Sequence, residues 1–360
     1  MRKVNRSSRP VKDSEDRRNK ECHALTLRRS FLVNSACLLS SGCKRGATAS
    51  GHVRLLQAGN PASMAYLPHT IAQSLHFYEA EGLRITTEVI PGGTRGAQAL
   101  VGGSADVVIG FFDQPFRLAL QGQDIQAFVN LNRYPGNAII SSGSSSDVVR
   151  SVKDLRRKKV GVSDLGSQNH FFLNWILSLN GLSPDDVTTV ATGSHAAALA
   201  ALQQSKLDAW SGFEPGVSQF QSRSPNARIL ADARTEAGVR EIFGVSEYPG
   251  SVFYAKTGWL RRNPNAAKAL ARAISTSLKW IHERTADQIV EKVPPAYIGP
   301  DLALYRMVLS RSLSIFTDHG QMPSLSPEVV KKVLSVSLPS VRNSKVELTK
   351  TYTNEYISPV

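Results

Sequence analysis

Leu83-Arg84-Ile85-Thr86-Thr87-Glu88-Val89-Ile90, then Pro91-Gly92-Gly93-Thr94, and later Gly103-Ser104-Ala105-Asp106-Val107-Val108-Ile109-Gly110 form the stretch whose reading decides the fold. Residues 83–90 alternate apolar and polar side chains, the period of a strand. Pro-Gly-Gly-Thr breaks that pattern and opens a helix to about Val101, and Ala105 to Gly110 is a short apolar strand. A strand, a short helical crossover and a second strand form the unit of a parallel sheet with helices on its faces.

The same unit recurs on both sides. Upstream, His52 to Leu56 is an apolar strand, and Pro68 to Glu79 has helical spacing at Ile71, Leu75 and Tyr78 with proline at the first turn. Downstream, Ala138-Ile139-Ile140 is a strand, Ser141 to Ser146 a turn and Ser151 to Leu155 a short helix. Next come a strand at Lys159 to Val162 and a helix at Gln168 to Asn180, its apolar face made by Phe172, Trp175, Ile176 and Leu179. A strand at Val187 to Ala191, a helix at His195 to Gln204 and a strand at Ala209 to Phe213 complete a second α/β unit. Val252 to Ala255 is a strand, and Pro264 to Arg284 an amphipathic helix with Leu270, Ile274, Leu278 and Ile281 on one face. Beyond residue 285, Pro294-Pro295 and the Pro323 to Pro327 stretch leave short pieces, expected to be helices on the first unit.

A chain of 360 residues has room for two such units. Its formal charge of +14 invites a nucleic-acid reading, but 12 of 43 Lys and Arg against 4 of 29 Asp and Glu fall in residues 1–49. The remainder is only mildly basic, and its one dense cluster, Arg156-Arg157-Lys158-Lys159, has no interleaved aromatics, so nucleic acid is set aside. The cysteines, Cys22, Cys37 and Cys43, all precede residue 44, which excludes disulfides, thiolate metal sites and a cysteine nucleophile from the rest of the chain. No G-x-S-x-G, H-E-x-x-H or phosphate-loop motif occurs, and the isolated His69, His76, His170 and His195 are read as structural. Neither a metal nor a cofactor is expected.

Residues 1–49 read as an export signal. Arg28-Arg29 precedes a small, apolar stretch from Phe31 to Gly42, the order of a signal peptide. Arg28-Arg29-Ser30-Phe31-Leu32 resembles the twin-arginine address. Leu39-Ser40-Ser41-Gly42-Cys43 resembles a lipoprotein box, with Ser40 where an aliphatic residue is usual; cleavage after Ala47-Thr48-Ala49 is the alternative. The first outcome lipidates Cys43 and tethers the protein to a membrane. The second frees it in the periplasm.

The order of the strings in 83–110, with Asn132-Arg133-Tyr134-Pro135-Gly136-Asn137-Ala138, Ser151 to Val162 and Gly181 to Val187, resembles the nitrate, sulfonate, taurine and thiamine-pyrimidine-precursor binding proteins of ABC importers. Arg157 stands where that family usually has a glycine before the strand. The resemblance implies a type II periplasmic binding protein, two doubly wound α/β lobes with a ligand cleft between them: residues 50–134 and 250–360 as lobe 1, residues 135–249 as lobe 2. It further implies a monomer outside the cytoplasm that hands a small molecule to an ABC permease and its ATPase. A pyrimidine-forming enzyme of thiamine synthesis resembles the same family, but it carries a cysteine-rich motif that this chain lacks and it is not exported. A solute sensor without an importer stays open.

In doubly wound sheets ligands sit beyond the carboxyl ends of the strands. That rule selects Asn60 and Tyr66, then Gly93 and Thr94, then Phe112, Asp113 and Gln114, and in the second unit Ser167, Gln168, Asn169 and Glu214. Gly93-Thr94 and Ser167-Gln168 sit at helix starts, where they either cap the helix or receive an anion or carbonyl. Tyr66, Phe112 and Phe213 are candidates to stack on a flat ring. Glu214, read as a cleft carboxylate, repels a plain oxyanion and favours a nitrogen-bearing or zwitterionic solute.

Overall fold

The computed structural model describes residues 51–143, 149–323 and 327–357. The export signal with Cys43, part of the Ser141 to Ser146 turn and part of the Pro323 to Pro327 stretch lie outside these residues. Ten strands are β1 (Gly51–Ala58), β2 (Leu83–Ile90), β3 (Val107–Phe111), β4 (Ile125–Asn130), β5 (Asn137–Ser141), β6 (Lys159–Val162), β7 (Thr188–Ala191), β8 (Ala209–Phe213), β9 (Ile229–Asp232) and β10 (Ser251–Lys256). They form two five-stranded sheets, ordered β2-β1-β3-β10-β4 and β7-β6-β8-β5-β9.

Strand position explains strand composition. β2 is an edge strand and keeps the alternation that the sequence shows, whereas β3 and β8 are central and buried along their whole length. The sheets are mixed rather than parallel: β10 runs antiparallel to β3 and β4, and β5 antiparallel to β8 and β9. The departure follows from the crossing. The chain leaves the first sheet after β4, enters the second as β5 and returns into the first as β10. At the crossing the two segments pair, with Leu131 donating to the Ser251 carbonyl at 2.9 Å and Tyr248 donating to that of Arg133 at 2.9 Å.

Two local expectations change, and the Arg157 departure gains its geometry. The helix expected over 68–79 is two, Leu67–Ser74 and Phe77–Ala80, because His76 takes a left-handed conformation (φ 56°). That bend lets the Tyr78 hydroxyl meet His69 Nδ1 at 2.7 Å. Arg157, in the place of the family's glycine, has φ 63°, the conformation that a glycine would adopt without strain. Leu179, assigned to an apolar face, is 48% exposed.

The largest correction concerns residues 286–357. The tail does reach the first sheet: Ala127 donates to the Thr351 carbonyl and accepts from Thr353, both at 2.9 Å. The Pro327–Ser337 helix, however, packs on the Gln168–Leu179 helix beside the second sheet. Asn174 Nδ2 donates to Ser337 Oγ at 2.9 Å, and Lys332 stands over the Trp175 ring at 5.5 Å. A helix with Phe171, Phe172, Leu173, Trp175, Ile176 and Leu177 all buried has more apolar surface than one sheet covers.

Candidate functional site: a cleft between two sheets

Strand ends from both sheets converge on a cavity of about 50 Å³. The first sheet contributes Ala58, Gly59, Asn60, Ser63, Tyr66, Gly92, Gly93 and Phe111; the second contributes Ser163, Ser167, Asn169, Gly193, His195 and Phe213. No formally charged side chain is among them. Burial pushes His195 down to about 4, so its imidazole is neutral over the physiological range.

Two helices present their N-terminal ends here, one beside each sheet. The Gly93–Gly102 helix begins after Gly92, which has φ 78° and no side chain with which to cap. That helix lies close on β1, since a Cβ at Gly96 would stand 2.7 Å from that of Ala58. The Gln168–Leu179 helix begins after Ser167, whose hydroxyl lies 2.6 Å from the Asp164 carbonyl and 2.8 Å from Asn169 Oδ1 rather than capping the first turn. Asn169 is locked by donating to the Ser211 carbonyl at 2.9 Å. Uncapped first-turn N–H groups carry the positive end of the helix dipole into the space between the sheets. The wall opposite is aromatic. Phe111 and Phe213, from different sheets, stack at 4.9 Å and 18°, with Tyr66 edge-on to Phe111 at 6.2 Å.

Of the residues selected from sequence, Asn60, Tyr66, Gly93, Ser167, Asn169 and Phe213 share this cavity. The others are elsewhere. Thr94 and Gln114 line an outer groove beside Arg117. Phe112, Asp113 and Gln168 line a separate cavity beneath the Pro327–Ser337 helix. Phe111 takes the place expected of Phe112, one residue out of register on a chain whose side chains alternate. Ser163, Gly193 and His195 were missed, although each follows a strand end and so satisfied the rule used for the rest.

Glu214 is 8% exposed and does not line the cleft cavity. Its carboxylate pairs with the Arg234 guanidinium, receives the Ser218 hydroxyl at 2.8 Å and the Ser218 N–H at 3.1 Å. Arg234 also binds Asp232 at 2.7 Å. With Glu214 committed to internal partners, the charge argument against an anionic solute loses its footing.

Contacts also join the two sides. Arg117, on the Asp113–Leu120 helix, donates to the Gly166 carbonyl at 2.7 Å and stands over Phe171 at 5.3 Å. Met64 donates to the Glu214 carbonyl at 3.2 Å.

Residues 64–287 match the model of the family described as NMT1/THI5 like. A solved structure from Bordetella bronchiseptica RB50 is 34% identical, with a TM-score of 0.80 over 85% of this chain and 95% of that one. The alkanesulfonate-binding protein SsuA from Xanthomonas axonopodis pv. citri, bound to MOPS, is 21% identical, with a TM-score of 0.64 over 86% and 99%. The periplasmic nitrate-binding protein NrtA from Synechocystis PCC 6803 is 16% identical, with a TM-score of 0.63 over 86% and 88%. The last two share the fold, that of the periplasmic binding proteins.

Proposed function

The chain belongs to the NMT1/THI5-like family, and from that premise we propose that it is an exported, monomeric solute-binding protein that closes two lobes on a small organic anion and delivers it to an ABC permease and its ATPase. The observation that carries the solute class is the meeting of two uncapped helix N-termini, one from each side, on a cavity lined by no charged side chain. Such a site stabilises a sulfonate or carboxylate head through N–H donors and dipoles without a counter-charge. The stacked Phe111 and Phe213 rings supply an apolar wall that a bare inorganic oxyanion would leave unused.

Lobe 1 is taken as residues 50–134 and 250–360 and lobe 2 as 135–249, joined at the paired crossing segments. Among the described residues no helix is long and apolar enough to cross a membrane. The export signal in residues 1–49, and a lipid anchor at Cys43, belong to this same proposal. Binding without turnover is supported by the cleft's composition: its lining carries no carboxylate, lysine or cysteine, and its histidine is half-buried and neutral.

A thermal-melting screen against alkyl and aryl sulfonates, carboxylates, nitrate and aminopyrimidines tests the reading. A solute present at a hundred times its dissociation constant stabilises the folded state by about 2.7 kcal/mol. Organic sulfonates or carboxylates are expected to raise the melting temperature. A response to aminopyrimidines alone overturns the anion, and no response at all overturns the binder.

A further inference from the structure

A groove of about 350 Å³ runs between the Gly93–Gly102 and Asp113–Leu120 helices and shares no lining residue with the cleft cavity, which has about 50 Å³. Helical spacing sorts its walls. Ala97 and Val101 on one helix and Leu118 on the other are apolar, while Thr94, Gln114 and Arg117 gather at the end next to Gly93 and the cleft. Gln98 and Gln121 form exposed rims. No carboxylate is among the lining residues, so the one formal charge in the groove is that of Arg117.

We propose that this groove is a second binding site, for a monocarboxylic acid with an apolar body, and that Arg117 holds the carboxylate. The guanidinium is fixed in place but only half used. Its Nη1 donates to the Gly166 carbonyl at 2.7 Å, to Gln114 Oε1 at 3.3 Å and to Thr94 Oγ1 at 3.5 Å, and the group stands over the Phe171 ring at 5.3 Å. Its Nε and Nη2 have no hydrogen-bond partner among the described residues. Those two donors form the edge that takes a carboxylate side-on, as the same edge of Arg234 takes Asp232 at 2.8 and 2.7 Å. A donor pair already held in one pose costs little further ordering on binding. No internal acid competes for it. Asp113, the carboxyl whose charge acts on Arg117, receives the Gln114 amide on Oδ2 at 2.6 Å and lines the cavity beneath the Pro327–Ser337 helix, not the groove. The room suits an acid with a chain. A cavity of about 150 Å³ takes benzene, so the groove admits roughly a dozen non-hydrogen atoms. Thr94 and Val101 are about 10 Å apart along their helix, the length of an extended acid of about eight carbons, whose tail would lie on Ala97, Val101 and Leu118.

Calorimetric titration of the full chain with octanoate is the test. Octanoate is expected to bind with one-to-one stoichiometry, and octanol, which keeps the chain without the charge, at least about tenfold more weakly. Gln98→Trp fills the groove from its exposed rim and leaves the cleft lining untouched, so it should weaken octanoate at least about tenfold. Arg117→Ala should do the same, with circular dichroism and the melting temperature reporting that each variant is folded. Octanoate that binds Gln98→Trp or Arg117→Ala as it binds the wild type sits elsewhere, in the cleft or on another surface, and overturns the inference. So does octanol that binds as well as octanoate, and so does a wild type that binds no octanoate. Since Gln98 is not among the residues of the cleft, loss of this second site leaves the solute-binding reading to its own screen.

Discussion

Replacing Arg117 with alanine isolates the energy of closure from that of solute contact, because Arg117 does not line the cleft cavity. Its guanidinium reaches from the helix after β3 to the Gly166 carbonyl at 2.7 Å, a charge-assisted hydrogen bond of about 1.5 to 3 kcal/mol. The same group covers Phe171 at 5.3 Å, which adds about 0.5 to 1 kcal/mol. Its bonds to Thr94 and Gln114 lie within one side and survive opening. Part of the gain is offset by rehydration of the guanidinium when the lobes part, which leaves roughly 2 kcal/mol that only the closed form enjoys. If the solute binds the closed form, the apparent dissociation constant rises by about 30-fold in Arg117→Ala. Calorimetric titration with the solute identified by melting gives the constant, and the melting temperature of the unliganded variant reports whether the fold is intact. Arg117→Lys keeps the charge but not the planar fork, so an intermediate loss is expected. An affinity within twofold of the wild type, in a folded Arg117→Ala protein, refutes the assignment of closure energy to this residue.

Three further outcomes are expected. Arg234→Ala leaves the buried Glu214 carboxylate unpaired, at about 3 to 5 kcal/mol, seen as a large drop in melting temperature that Glu214→Gln in the same chain largely reverses; no reversal refutes the pairing. Gly92→Ala places a Cβ 2.8 Å from Asp164 Oδ2 of the other side and strains a φ of 78°, so solute affinity should fall by at least about tenfold, with partial recovery in Gly92→Ala/Asp164→Ala. Between pH 6.5 and about 4, His69 and His195, held down to about 3 and about 4 by burial, bind protons only when unfolded, so stability falls as pH falls through that window. His170, lowered for the same reason, adds to the loss. Asp113, raised to about 7, keeps a proton in the folded state over the same window and offsets about 1.4 kcal/mol per pH unit of that loss. Urea unfolding should therefore show a steeper acid decline in Asp113→Asn; an unchanged slope refutes the offset.

The fold was legible where periodicity and chain order carry it. Residues 83–110 declare a strand, a crossover and a strand, and the observed β2, Gly93–Gly102 helix and β3 agree with that reading. Strand direction was not legible, because a return through the crossing segments leaves no mark on the composition of β5 or β10. β4 and β9 were missed for different reasons: β4 is buried too fully to alternate, and β9 is only four residues of intermediate burial. The packing of the last helix on Phe171 and Trp175 was visible only as an excess of apolar side chains in Gln168–Leu179, with no indication of what would cover them.

The site was legible to the loop but not to the side chain. Strand-end positions found Asn60, Tyr66, Gly93, Ser167 and Asn169, since topology alone brings those loops together. A shift of one residue, however, sends Phe111 into the cleft and Phe112 behind it, and separates Ser167 and Asn169 from Gln168. The charge of the site was the hardest quantity to obtain. Glu214 lies at a strand end, where a free carboxylate would dictate a cationic partner, but Arg234 is 20 residues away in sequence and nothing short of the fold joins them. A single carboxylate in a sequence therefore predicts ligand charge only after its internal partners are known. Here those partners remove the charge argument for a nitrogen-bearing solute, because the carboxylate that carried it is already neutralised inside the fold.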